Sequence, residues 1–413
     1  GLFAFDEDQE FRFWVDQGFL FNQTGVQMSD HSDKTQAVFG QLTYSVSDRL
    51  RLTGGLRYTK EEKEVDGQIF NRQGAPCALL GATPVTIATI AAAIPWAATN
   101  EAGVAYPFPY CRDIIRGSRD WDDTSWKAGL EFDVNENSLF YANVSRGFKA
   151  GGYFAAGNGA AVGNTYEPEE LVALAIGSKN RLANGRMRFN AEAFWWDYRD
   201  HQESYLAPTN PPTPAFGLIT INVPKARIYG LDVEFEAALT DADNVSLRAQ
   251  YLKAEYRDFV YRTSRPGEFA TNSPGSQPPP TVCPATFISI GLYQVNCNGQ
   301  EMPRSPELSI QAEYQHIFRL GNGATIVPSI ALQYSADYWT AIDYNPLQRQ
   351  DSYTMVDADV TFRSANERWT FSVWGRNLGD EDVWQNAFSH PSGVSFNALR
   401  PPRTYGARVS FNF

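Results

Sequence analysis

Apolar and polar residues take turns along most of this chain. Leu308, Ile310, Ala312 and Tyr314 interleave with Ser309, Gln311, Glu313 and Gln315. Tyr229, Leu231, Val233, Phe235 and Ala237 alternate with Asp232, Glu234 and Glu236, and Val245, Leu247, Ala249 and Tyr251 with Ser246, Arg248 and Gln250. Ile326, Ile330, Leu332 and Tyr334 alternate with Thr325, Ser329, Gln333 and Ser335. A period of two places successive side chains on opposite faces of a β-strand, so each stretch predicts a strand with one oily and one polar face. Helical spacing occurs almost nowhere.

The connections between these stretches are of two lengths, in alternation. Short ones are rich in Asp, Asn and Gly: Val46–Leu50, Asp133–Ser138, Asn180–Gly185, Thr240–Asn244, Leu320–Gly323 and Ser364–Arg368. Long ones are expected at about 10–33, 64–121, 151–166, 200–224, 259–303, 339–350 and 380–403. Together they join fourteen antiparallel strands. A soluble sandwich has no reason to place every long loop at one end. Tight turns on one side and long loops on the other describe an outer-membrane barrel.

The polar face supports that reading. It carries Asp232, Glu234, Glu236, Arg248, Glu313 and Arg408, too many charges for a dry core. A wet lumen inside and lipid outside accommodate both faces. Tyr58, Trp126, Trp195, Trp196, Tyr251 and Trp369 fall near strand ends, as interfacial girdles require. The predicted fold is all-β: an antiparallel transmembrane β-barrel of outer-membrane type.

Composition narrows the partners. The 413 residues carry a net charge of −12, which repels phosphate and argues against nucleic acid. The longest apolar stretch, Val85–Ala98, is interrupted by Thr86, Thr89 and Pro95 and is too short for a membrane-spanning helix. No secretion signal is expected at Gly1: no basic stretch runs into an apolar one there, and GLFAFDEDQ already reads as a strand, as either a processed N-terminus or an incomplete chain would.

At the other end Tyr405, Ala407, Val409, Phe411 and Phe413 form an alternating set that ends on Phe. With FGQLTYSVSDRLRLTGGLRYTKEEK (Phe39–Lys63), VSRGFKAGGY (Val144–Tyr153), RNLGDEDVW (Arg376–Trp384) and PRTYGARVSFNF (Pro402–Phe413), the chain resembles the TonB-dependent outer-membrane receptors. The resemblance implies that Phe413 is the signal for the barrel-assembly machinery. It implies a Gram-negative outer membrane with its lipid and lipopolysaccharide, a small-molecule ligand, and energy from the TonB complex. The family has a plug domain, a coupling box and a barrel of twenty-two strands. Fourteen strands account for only the last part of such a barrel. The expectation is therefore that residues 1–413 are a partial barrel domain, with plug, coupling box and first strands outside this sequence. The strand at Gly1–Asp6 is then expected not to pair with Thr404–Phe413, leaving an open trough of about two-thirds of a circle.

Catalytic motifs are scarce: no G-x-S-x-G, H-E-x-x-H, P-loop or G-x-G-x-x-G occurs. GNGAAVG (Gly157–Gly163) has the wrong spacing. No enzyme, cofactor or metal site is expected. His316 is expected on the oily face near a strand end, and His31, His201 and His390 in long loops. The acidic run Asp6, Glu7, Asp8 and Glu10 reads as a solvated loop edge.

Cys77 and Cys111 share one long loop, and Cys283 and Cys297 another. Of three possible connectivities, pairing within each loop is the local one and suits an oxidising exterior. In TPVTIATIAAAIPWAAT a short helix is expected to start at Thr83 as cap and Pro84 in its first turn. That segment either packs over the barrel mouth, or Trp96 and the downstream Tyr106, Phe108 and Tyr110 line a ligand vestibule. Tyr338 and His390 complete the candidate ligand contacts.

The function expected is energised import of a scarce, bulky solute such as a ferric siderophore, cobalamin or an oligosaccharide. The rivals are a passive fourteen-strand channel and an outer-membrane hydrolase or adhesin. Dependence on proton-motive force discriminates between them.

Overall fold

The computed structural model describes residues 1–16, 24–72, 83–85, 110–153, 165–208, 216–263, 280–289, 292–389 and 395–413. Fourteen antiparallel strands follow one another in chain order through a single sheet. They are β1 (Leu2–Asp16), β2 (Thr24–Ser45), β3 (Leu50–Arg72), β4 (Tyr110–Asn135) and β5 (Ser138–Lys149). Then come β6 (Glu169–Leu182), β7 (Met187–Pro208), β8 (Phe216–Ala238), β9 (Asp243–Asp258) and β10 (Leu308–His316). The path ends with β11 (Thr325–Ser335), β12 (Tyr353–Arg363), β13 (Trp369–Arg376) and β14 (Thr404–Phe411). Among the described residues no ladder joins Leu2–Phe5 to Ala407–Phe411.

The register turns the alternation into continuous rows. Val245, Tyr314 and Ile330 stand side by side across β9, β10 and β11, as do Leu247, Ala312 and Leu332. The next residues along, Arg248, Gln311 and Gln333, form a polar row on the other face. Apolar rows lie bare on the convex side, where Leu42 is 71% exposed and Val409 60%. Such an apolar expanse without a protein neighbour is a lipid surface. Trp369 and Phe411 pack with ring centroids 4.6 Å apart at the turn edge of that belt.

Side chains close the tight turns locally. Ser47 Oγ accepts from the amides of Arg49 and Leu50, and Thr240 Oγ1 from those of Ala242 and Asp243. Asn184 and Gly185 take positive φ (55° and 85°) between β6 and β7, which Asn and Gly adopt with little strain.

Strand runs into three of the expected long loops. The ladders of β1–β2, β3–β4 and β7–β8 extend through much of 10–33, 64–121 and 200–224. About 9–11 residues suffice to cross a bilayer, yet β4 has 26. The excess lies beyond the bilayer and needs no lipid-facing period, and the backbone ladder keeps its polar groups paired. The acidic run of Asp6 to Glu10 accordingly lies inside β1 rather than on a loop, and His31 and His201 lie inside β2 and β7. Thr83–Val85 is a short strand paired with Arg112–Tyr110, not a helix start. There the extended β4 edge offers bonds that outcompete a helical turn.

Candidate functional site

The concave wall has two storeys. Near the tight turns it is charged and open. Arg188 Nη2 pairs with Glu236 Oε2 at 2.6 Å, Asn190 Nδ2 donates to Glu234 at 3.2 Å, and Gln250 Nε2 donates to Asp232 at 2.9 Å. Tyr141 Oη donates to Glu192 Oε2 at 2.6 Å. It reaches across Gly177, where a Cβ would sit 2.5 Å from that hydroxyl. Open concavities run along this storey, lined by such residues as Lys179, Glu234, Arg248 and Gln311. Cross-strand pairing of opposite charges satisfies the wall while leaving it wet.

Toward the long connections the same face changes character. On β7 the inward residues Arg188, Asn190 and Glu192 give way to Phe194, Trp196 and Tyr198. The rung of Asp200, at φ 51°, and Pro224 is then missing from the ladder while the register stays the same: Arg199 opposes Lys225 and His201 opposes Val223. Beyond that gap His201 and Glu203 lie on the inner side, His201 against Tyr198 and Glu203 at the Tyr256 hydroxyl. They meet an apolar core built from β8, β9 and the connections that follow β9 and β11. Val223, Tyr256, Phe259, Val295 and Tyr344 are fully buried there. Cys283 and Cys297 are disulfide-bonded within this core, their Cα atoms 5.2 Å apart. The bridge closes the base of the hairpin formed by 285–289 and 292–296, which with 260–263 makes a small sheet packed on this core.

His201 is the charged centre of this storey. Its Nε2 lies 3.3 Å from Glu203 Oε1, and Tyr256 Oη donates to the same carboxylate. Nδ1 sits 2.9 Å from Glu169 Oε2 but off the axis of the ring N–H, an ion pair rather than an aligned hydrogen bond. His201 stands six residues beyond Trp195, outside the lipid belt. Burial opposes its charge, but the contacts and charges of Glu169 and Glu203 prevail and hold the ring up to about 9. Burial likewise works against the Glu169 carboxylate, and His201 and the Gln202 amide keep it below the usual range. The same contacts fasten the connection before β6. Gln202 N donates to Glu169 at 2.7 Å, Gln202 Nε2 to Ala150 O at 2.9 Å, and Asn222 Nδ2 to Glu167 O at 2.8 Å.

A sheet with a bare oily outside, a charged inside and a braced mouth is what a membrane receptor barrel needs. The family model described as TonB dependent receptor-like, β-barrel, matches residues 5–378. This chain belongs to the TonB-dependent receptor β-barrel family. Solved relatives agree in fold. The ferric yersiniabactin uptake receptor of Yersinia pestis is 14% identical with a TM-score of 0.66, over 100% of this chain and 54% of that one. The copper transporter OprC is 14% identical with a TM-score of 0.60, over 100% of this chain and 58% of that one. The closed form of the ferric-catecholate import receptor of E. coli K12 is 14% identical with a TM-score of 0.57, over 100% and 54%. The chain thus spans just over half the length of these relatives. Members of the family are outer-membrane receptors and transporters of Gram-negative bacteria.

Within this TonB-dependent receptor barrel, the sequence-predicted contacts scatter. Trp96, Tyr106, Phe108 and His390, with Cys77 and Gly157–Gly163, lie outside the described residues, so Cys77–Cys111 pairing does too. Tyr110 opens β4 opposite Val85. Tyr338 is buried beside Tyr353 and Val383 and donates to Trp384 O at 3.2 Å, which makes it part of the packing under the mouth. His316 Nδ1 lies 2.6 Å from Asp243 Oδ1, which also accepts from Tyr314 Oη, at the tight-turn end. Among the described residues no group of three or more His, Cys, Asp or Glu is arranged to hold a metal. The clamp around His201 was missed. Its one signal is the break in alternation at WWDYRDHQESY, where six polar residues run together at Arg199–Ser204.

Proposed function

We propose that this chain forms the barrel wall of an outer-membrane receptor that imports a scarce, bulky solute, such as a ferric siderophore, with energy delivered by TonB. The observation that carries the reading is the family match along 5–378 on a sheet whose concave face is charged and solvent-accessible. In this reading the fourteen strands are part of a wider barrel. A plug and a TonB-contacting segment beyond residues 1–413 gate it, and the storey around His201 frames the extracellular mouth. The wall itself carries out no bond chemistry; it sets which solutes pass.

The test uses cells carrying the full-length gene and radiolabelled iron(III) chelates. Uptake is expected to stop when an uncoupler collapses the proton-motive force and to be absent from a strain without TonB. Uptake at an undiminished rate under both conditions rejects the proposal in favour of a passive channel.

A further inference from the structure

On the convex face two cations stand side by side at the outer rim of the lipid belt. Trp195, Asp197 and Arg199 of β7 face outward there, opposite Tyr229, Arg227 and Lys225 of β8. Arg199 and Lys225 are direct partners across the ladder, and both are exposed. From Phe189 at the turn edge the strand reaches Arg199 ten residues later. At about 3.3 Å per residue and a tilt of about 40°, that span rises about 25 Å, the height of the apolar band. The shelf just beneath the pair is fixed. Trp195 and Tyr229 stack with ring centroids 5.0 Å apart, and the Arg227 guanidinium lies 4.5 Å from the Trp195 centroid. Asp197 accepts from Arg227 Nε at 2.9 Å and from Trp195 Nε1 at 2.8 Å, which commits its carboxylate below the pair.

Like charges directly opposite each other on a sheet repel, and here no neighbour neutralises them. Glu170 faces Arg199 from β6, but Arg146 takes its carboxylate at 2.7 Å. Asp258 faces Lys225 from β9 without closing to it. Among the described residues neither Arg199 nor Lys225 has an ion-pair partner within 4.0 Å. The other outward cations around the rim do meet carboxylates: Lys60 pairs with Asp120, Arg146 with Glu170, Arg227 with Asp197 and Lys253 with Glu307. Lys34, higher on β2, stands between Asp6 and Glu62. No other rung of the described ladders sets two cations opposite each other on the outward face.

We infer that Arg199 and Lys225 form a binding site for the phosphate of a phosphorylated lipid in the outer leaflet. The pair lies at headgroup height on the lipid side, above a Trp–Tyr shelf of the kind that marks a membrane interface, so its ligand arrives in the membrane plane. Direct ladder partners have Cα atoms about 5 Å apart, close enough for one phosphate to accept from both side chains. The guanidinium fork supplies paired donors and the ammonium a point charge, which suits a doubly charged phosphomonoester. An anion between the two turns their repulsion into attraction. The occupied site ties β7 and β8, the strands that carry the His201 clamp, to the surrounding leaflet. The inference rests on the convex face as the lipid surface and is independent of what the lumen carries.

The test is native mass spectrometry of the purified full-length receptor in detergent, titrated with diphosphoryl lipid A, with the same lipid stripped of both phosphates, and with inorganic phosphate as competitor. The wild type is expected to bind the diphosphoryl lipid more tightly than the stripped one. Arg199→Gln and Lys225→Gln should each weaken that binding by about tenfold, the scale of one solvated charge-assisted contact. Arg199→Lys, which keeps the charge but not the fork, should fall between. Lys34→Gln, at an exposed cation hemmed by carboxylates, should change nothing. No preference for the phosphorylated lipid, no loss in the Arg199 and Lys225 variants, or an equal loss in Lys34→Gln overturns the inference. Full displacement of the lipid by an equal concentration of inorganic phosphate also overturns it, because the pair would then be a site for a soluble anion.

Discussion

Strands β7, β8 and β9 run through both storeys of the wall, and their inner faces differ completely between the two. Near the turns Arg188, Glu192, Glu234 and Arg248 face water and pair across the ladders. Near the mouth Tyr198, Val223 and Tyr256 face other side chains in a sealed core. The ladder geometry is shared. What differs is the cover: solvent below, and above it residues 259–263, 280–289, 292–307 and 336–352 with the Cys283–Cys297 disulfide. The inner face of a wide barrel has no polarity of its own, and each tier matches whatever lies against it.

If that contrast is right, truncation should hurt only the sealed storey. Tyr256→Ala removes a fully buried ring from its centre and is expected to cost about 3–5 kcal/mol. Limited proteolysis should then cut within 259–307, while the heat-modifiable gel shift of the barrel persists. Loss of that shift would show that the two storeys are one cooperative unit.

A smaller effect separates them by pH. A histidine whose folded pKa, about 9, exceeds its unfolded value of 6.5 stabilises the fold fully below 6.5, and that stability is lost as pH rises through about 9. Melting followed by tryptophan fluorescence should therefore show a midpoint that declines from pH 7 to 10. The loss is on the order of 2 kcal/mol, after discounting for the coupled carboxylates that share the proton. His201→Gln should flatten the profile over that window. Glu169 acts in the opposite direction, its depressed pKa removing stability only as the solution turns acid. A profile unchanged by the substitution would place the alkaline loss outside the clamp.

The smallest perturbation tests the open storey. Cysteine at 311 is expected to react with a membrane-impermeant thiol reagent, and cysteine at 312 to stay protected by lipid, because Gln311 lies in the polar row and Ala312 beside Leu247 and Leu332. Reaction at 312 alone would mean that the register is inverted.

How legible each region is in the sequence follows from the same contrast. Where lipid touches one face and water the other, as along Val245–Tyr251 and Leu308–Tyr314, the period of two is unmistakable, and a one-residue slip would bury charge in lipid. Where water touches both faces, as along Glu61–Glu64 or Asp6–Glu10, pairing leaves no hydrophobic trace. Strands there resemble loops. Where protein covers the inner face, the alternation is lost for the opposite reason, since both faces then accept aromatics.

The sequence by itself determined the all-β class, the fourteen-strand order and the lipid-facing rows, because these depend on neighbours one or two residues away and on turns that Ser, Asn and Gly close locally. Tertiary structure alone decided which charges meet and which stay unpaired. His201 meets Tyr198 and Tyr256 on the inner side beyond the left-handed backbone of Asp200, and it is charged because Glu169, from another strand, lies beside it. Arg57 stands without an ion-pair partner among the described residues because the ladders bring phenyl rings and a hydroxyl to it instead of a carboxylate. Coulomb energy depends on distance in space, and only the fold supplies those distances.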